Sequence, residues 1–92
     1  MQNPPKLEIL YHKRALKFLS SISYKQSKQV TDKIKTIQTK EILVKGDLNI
    51  KKLEGTKHSY RLRVGKIRVI LRMHKKDDVI YVEDIDFRGN IY

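Results

Sequence analysis

At 92 residues the chain has room for one modest hydrophobic core, and a single domain spanning residues 1–92 is expected. It contains no cysteine, which excludes a disulfide framework and any cysteine-based metal site. The formal net charge of +11 repels itself, and it points to a polyanion or an acidic partner as its counterpart.

The opening Met1-Gln2-Asn3-Pro4-Pro5 has no apolar signal region, and no later apolar run approaches a membrane span. A cytoplasmic location with no membrane partner is therefore expected. Lys6 to Tyr11 alternates charge with bulk, as a short strand does. From His12 to Ile22 the spacing changes, and Ala15, Leu16, Leu19 and Ile22 line one helical face. Ser23 can cap a second helix, along which Val30, Ile34 and Ile37 recur three and four residues apart. Lys25, Lys28, Lys33, Lys35 and Lys40 occupy its other faces and read as a solvated surface. Gly46-Asp47 ends the helical half.

The second half changes character. Ile50 to Leu53 starts a strand, and Gly55 to Ser59 is a polar loop. Tyr60-Arg61-Leu62-Arg63-Val64 alternates strictly between apolar and basic residues. Gly65-Lys66 has the chemistry of a two-residue type II′ turn. Ile67 to Met73 then returns, Lys75 to Asp78 turns again, and Val79 to Ile85 is a third strand. The order gives an α+β domain: an N-terminal strand, a two-helix hairpin, then an antiparallel β-meander, with the helices on one sheet face.

The turn fixes the hairpin register. With Gly65 and Lys66 as the loop, Val64 lies opposite Ile67, Arg63 opposite Arg68 and Arg61 opposite Ile70. Tyr60, Leu62, Val64, Ile67, Val69 and Leu71 then face the helices, while Arg61, Arg63, Arg68 and Arg72 share the other face. Like charges directly across a strand pair destabilise it. Either Glu83, Asp84 or Asp86 neutralises the row from the third strand, or an anion binds it from outside; the second account is preferred. Guanidinium groups suit phosphate, since their planar fork offers paired donors and stays charged. Tyr60, Tyr81, Phe87 and Tyr92 lie in the same half and could stack on unpaired bases. Core positions are favoured for most of them, but less so for Tyr92 at the end of the sequence.

Lys52-Leu53-Glu54-Gly55, followed by Tyr60-Arg61-Leu62-Arg63-Val64-Gly65-Lys66-Ile67-Arg68-Val69-Ile70, resembles the C-terminal signature of the RelE/ParE toxin superfamily. Asp86-Phe87-Arg88-Gly89-Asn90-Ile91-Tyr92 is similar to the end of its RelE branch. The resemblance implies the toxin of a type II toxin–antitoxin system, an mRNA endoribonuclease working in the ribosomal A site. It implies metal-independent cleavage, in which the RNA 2′-hydroxyl attacks the adjacent phosphate and leaves a 2′,3′-cyclic phosphate. The partners it implies are an acidic antitoxin, the ribosome and mRNA, and no cofactor is expected.

Matched by position, Arg61 and Arg63 occupy two basic sites of the first hairpin strand, and Arg68 the arginine that contacts the scissile phosphate. Arg88 matches a basic residue of the closing segment, and Tyr92 the terminal tyrosine that orients or stacks on the RNA. Lys51, Lys52, His58 and Arg72 are candidates for further RNA contacts. Where some relatives carry lysine on the first hairpin strand this chain has Arg61 and Arg63, and Phe87 stands where many have histidine. Arginine is a poor general base, so Lys51, Lys52, His58 and Tyr92 are the candidates for that role. Two other readings compete: a ParE-like inhibitor of DNA gyrase, and a non-catalytic ribosome- or RNA-binding module.

Overall fold

The first strand, β1 (Glu8–Tyr11), alternates in burial: Ile9 and Tyr11 pack on the core while Glu8 and Leu10 turn away. The computed structural model describes residues 7–39, 49–74 and 78–88. The expected end of the helical half at Gly46-Asp47 lies outside them, as do Lys40, most of the turn at Lys75 to Asp78, and Tyr92.

His12 caps helix α1 (Lys13–Ser21), its side chain accepting from the Arg14 N–H. Ala15 is fully buried, and Phe18, Leu19 and Ile22 pack beside it. This corrects the expected face at one position. Leu16 is 52% exposed, and Phe18 takes its place by meeting Phe87 edge to face at 5.3 Å. Residues 15, 18, 19 and 22 are the true helical stripe, and Leu16 sits about 100° round from Ala15.

Ser23 caps helix α2 (Tyr24–Thr36), accepting from the Gln26 N–H at 3.2 Å. Val30 and Ile34 are fully buried, and Ile37 joins them from a short 3-10 turn (Ile37–Thr39). Lys25, Lys28 and Lys35 are exposed and Lys33 partly so, as a solvated face requires. Gln38 ties the turn to the sheet: its carbonyl accepts from the Leu7 N–H at 3.0 Å and its side-chain amide donates to the Leu7 carbonyl at 2.8 Å.

Strands β2 (Ile50–Lys52), β3 (Ser59–Val64), β4 (Ile67–His74) and β5 (Val79–Phe87) complete a five-stranded sheet in the order β1-β5-β4-β3-β2. The meander is antiparallel, while β1 runs parallel to β5, from Glu8 beside Val79 to Tyr11 beside Val82. The expected hairpin register holds throughout, with Val64 opposite Ile67, Arg63 opposite Arg68 and Arg61 opposite Ile70. Gly65 has φ +60° and Lys66 has no positive φ, the combination that a type II′ turn needs.

One face of the sheet meets the helices. Leu62, Ile67, Val69, Leu71, Met73, Ile80, Val82 and Ile85 are buried there with Leu7, Ala15, Val30, Ile34 and Ile37. On β5 the buried positions run 80, 82, then 85, because a bulge interrupts the ladder: Ile70 pairs with Asp84 and Leu71 with Val82, leaving Glu83 between them.

Candidate nucleic-acid interface

The register lays out the other face of the sheet in rows. Nearest the hairpin turn, Arg63 on β3, Arg68 on β4 and Asp86 on β5 lie side by side. The next row carries Lys51 on β2, then Arg61, Ile70 and Asp84. Beyond the bulge come Ser59, Arg72 and Tyr81, with Leu10 beside Tyr81 on β1.

Arg63 and Arg68 are closer than a random cross-strand pair. The Arg63 N–H donates outward to the Asn49 carbonyl at 2.8 Å, away from β4. The two arginines therefore form a non-hydrogen-bonded pair, the kind whose Cα atoms approach to about 4.5 Å. Arg68 is only 7% exposed and is the one buried charged side chain among the described residues. It sits on a central strand, between a like charge on one side and Asp86 on the other.

The carboxylates of β5 answer part of this charge. Glu83, turned by the bulge, meets Arg72 at 3.2 Å, and Asp86 is placed across from Arg68. Arg63 has neither an ion pair nor a side-chain hydrogen bond in the described structure. The acidic strand is thus a partial neutraliser, and the row keeps an excess of cations.

The predicted site residues divide clearly. Lys51, Arg61, Arg63, Arg68 and Arg72 share the outer face. Phe87 is 41% exposed rather than in the core, and Arg88 after it is exposed too and donates its N–H to the Lys66 carbonyl at 2.8 Å, which holds it by the hairpin turn. Lys52 pairs with Tyr60 and so falls on the helix side of the sheet. The His58 carbonyl accepts from the Met73 N–H, and His58 is exposed in the bend before β3. Tyr60 packs on the core, as favoured. Phe87 is explained by Phe18, which it touches across the helix side.

Tyr81 departs from the expected core position. It is half-buried on the arginine face, with the Arg72 guanidinium 5.3 Å from its ring centroid. Its neighbours Ile80 and Val82 are buried on the opposite face, but Val79-Ile80-Tyr81-Val82 is apolar throughout and its sequence carries no alternation that marks Tyr81 as outward.

What such a face can do chemically follows from its groups. Paired guanidinium forks bind phosphate oxygens and hold their charge at any biological pH, and they stabilise charge that develops during phosphoryl transfer.

No protein-family model matches the chain. Solved structures do. The RelE–RelB complex of Pyrococcus horikoshii aligns with a TM-score of 0.77 and 28% identity, over 92% of this chain and 98% of that one. The RelB–RelE complex of Methanococcus jannaschii aligns with a TM-score of 0.64 and 26% identity, over 90% of this chain and 94% of that one. The isolated Escherichia coli RelE toxin shares the fold, with a TM-score of 0.67 at 20% identity, over 94% of this chain and 90% of that one. A strand, two helices and a mixed sheet carrying a basic outer face thus define a small RelE-like α+β toxin fold. In sequence, the chain is 33% identical to a protein of Methanocaldococcus jannaschii named as toxin RelE1, across 95% of this chain and 96% of that protein. The chain belongs to the RelE family of toxins of toxin–antitoxin systems.

Proposed function

We propose that this protein is a ribosome-dependent mRNA endoribonuclease that stops translation by cutting mRNA in the ribosomal A site, without a metal. The observation that carries the reading is Arg63 set against Arg68 on the open face of the sheet. Asp86 beside Arg68 answers one of the two charges, so the pair keeps a net cation that disfavours the bare fold, and a phosphodiester is the anion its geometry suits.

In the step proposed, the 2′-oxygen bonds to phosphorus, the bond to the 5′-oxygen breaks, and the products are a 2′,3′-cyclic phosphate and a 5′-hydroxyl. Arg63 and Arg68 grip the non-bridging oxygens and stabilise the charge that gathers there. Arg61 and Arg88 hold the flanking backbone, and Tyr92 orients the RNA. One proton must leave the 2′-hydroxyl and one must reach the 5′-oxygen, and arginine does neither readily. Of the candidate bases, Lys51 shares the arginine face, directly across from Arg61, and we assign it the proton taken from the 2′-hydroxyl, while water protonates the departing 5′-oxygen. In-line alignment by the ribosome and the arginine grip supplies the rest.

An acidic antitoxin is the proposed partner. The relatives from Pyrococcus horikoshii and Methanococcus jannaschii were solved as complexes with RelB. A similar partner would neutralise the +11 chain and cover its arginines. The setting of this activity is the cytoplasm, where translating ribosomes are.

The test is a translating extract read by primer extension. The wild type should produce cuts within codons. Arg68→Ala should lower the cutting rate by about a hundredfold or more, as removal of one transition-state donor does. Arg68→Lys, which keeps the charge and loses the fork, should fall between them. Intact mRNA with accumulating cleaved gyrase–DNA complexes would replace this reading by the ParE-like one. Ribosome binding without cleavage would leave a binding module in its place.

A further inference from the structure

Beyond the bulge the same face carries a pocket of about 350 Å³, between the start of α1 and the edge of the sheet. Leu10, His12, Arg14, Arg72, Tyr81 and Glu83 line it. Of these, the sequence marks Arg72 as a candidate RNA contact and Tyr81 as an aromatic that could stack on an unpaired base; the other four carry no such expectation.

The lining has the parts of a stacking site. The Tyr81 ring is half-buried, and the Arg72 guanidinium lies 5.3 Å from its centroid, held by Glu83 at 3.2 Å. Aromatic rings and guanidinium planes are the two platforms on which unpaired bases stack. Leu10 is 41% exposed beside Tyr81 and adds apolar surface at the mouth. His12 and Arg14 bring donors from the other wall. The His12 Nδ1 accepts from the Arg14 backbone N–H at 3.1 Å and from the Arg14 Nε at 3.2 Å, which leaves the ring proton on Nε2. Glu83 offers acceptors, the complement of ring and exocyclic N–H groups on a base edge.

Position matters as much as composition. Arg72 and Arg68 are four residues apart on β4 and point to the same side, which sets them about 13 Å apart along the strand. A single strand gripped at Arg68 and running along the sheet therefore passes the pocket mouth within a few nucleotides.

We propose that this pocket takes one unpaired nucleobase of the RNA strand, stacked on Tyr81 and the Arg72 guanidinium and flanked by His12 and Arg14. The inference rests on the RNA reading above and adds a base subsite outside the cleavage centre.

The experiment titrates wild type and Tyr81→Leu onto ribosomes programmed with a 2′-O-methylated mRNA, which binds and cannot be cut. A single abasic position is moved through the A-site codon and its neighbours. One abasic position should weaken the wild type about tenfold, the worth of a lost base–aromatic stack. Tyr81→Leu should be weaker by a similar factor on the intact strand and show no further loss at that position, because the two changes remove the same contact. Arg14→Ala, an exposed change remote from the core, should give a smaller loss at the same position. Unchanged affinity of Tyr81→Leu, with the wild type bound and cutting, would overturn the base subsite and leave the endoribonuclease reading intact. Failure of the wild type to bind programmed ribosomes would overturn both. If both variants bind RNA normally and lose affinity for an acidic antitoxin peptide, the pocket is a protein-docking site and the proposal falls.

Discussion

Replacing Arg63 by threonine separates a charge kept for folding from a charge kept for a ligand. Threonine suits a strand, and Arg63 is half-buried with no carboxylate partner in the described structure, so little native contact is lost. What the change removes is the repulsion of Arg68, directly opposite in a close cross-strand pair. Such like-charge pairs cost about 0.2–1 kcal/mol. Taking about 0.5 kcal/mol, a domain of this size should melt about 3 °C higher, at the usual 4–8 °C per kcal/mol. Because the effect is Coulombic and partly solvated, it should shrink as salt rises and the screening length falls from about 10 Å at 0.1 M to about 3 Å at 1 M. The same variant should lose cleavage in the translating extract. Thermal melts at two salt concentrations, beside the primer-extension assay, check both halves. A lower melting temperature at low salt would refute the reasoning, since it would mean that Arg63 stabilises the fold.

Two further substitutions probe the scaffold. Ile34 is fully buried where α2 meets the sheet, so Ile34→Ala should cost about 2–5 kcal/mol, a large part of the 5–15 kcal/mol typical of a domain. A urea melt reads this, and a cost below about 1 kcal/mol would mean that α2 is not seated as described. Burial raises the pKa of Tyr11 above its ordinary 10.0. The folded state then binds more protons than the unfolded state once pH passes about 10, so stability falls as pH climbs from there through the raised value. Tyr11→Phe should lose less stability over that window and match the wild type below it, and parallel urea midpoints from pH 7 to 11 would contradict this.

Most of the fold was legible because its signals are local. A glycine-first pair between two alternating runs specifies both the turn and the register, and the register then decides which side chains share a face. Ser23 was readable as a cap because it precedes a run of apolar residues at helical spacing. Leu16 was misplaced for the opposite reason. From α1 alone, Ala15, Leu16, Leu19 and Ile22 form a plausible stripe, and the choice of Phe18 over Leu16 depends on Phe87, far away in the chain. The pairing of β1 with β5 is of the same kind, because parallel neighbours are joined by a long crossover that leaves no turn signature between them.

The site divides along the same line, and β5 shows why. Val79 to Val82 is apolar throughout and alternates only in its burial, with Tyr81 outside, and extending that alternation would bury Asp84 and expose Ile85. Burying an unpaired carboxylate on the core face costs far more than interrupting the ladder once. The bulge at Glu83 resolves the conflict: Ile85 returns to the core, while Asp84 and Asp86 turn to the arginine face. The same residue then bonds to Arg72 and holds that guanidinium over Tyr81. One extra residue in β5 thereby sets the carboxylates near the arginines and builds the wall of the pocket beside them. The bulge could be inferred only by weighing where Asp84 and Ile85 must lie, which makes the balance between phosphate grip and base stacking a property of β5 as much as of the arginine hairpin.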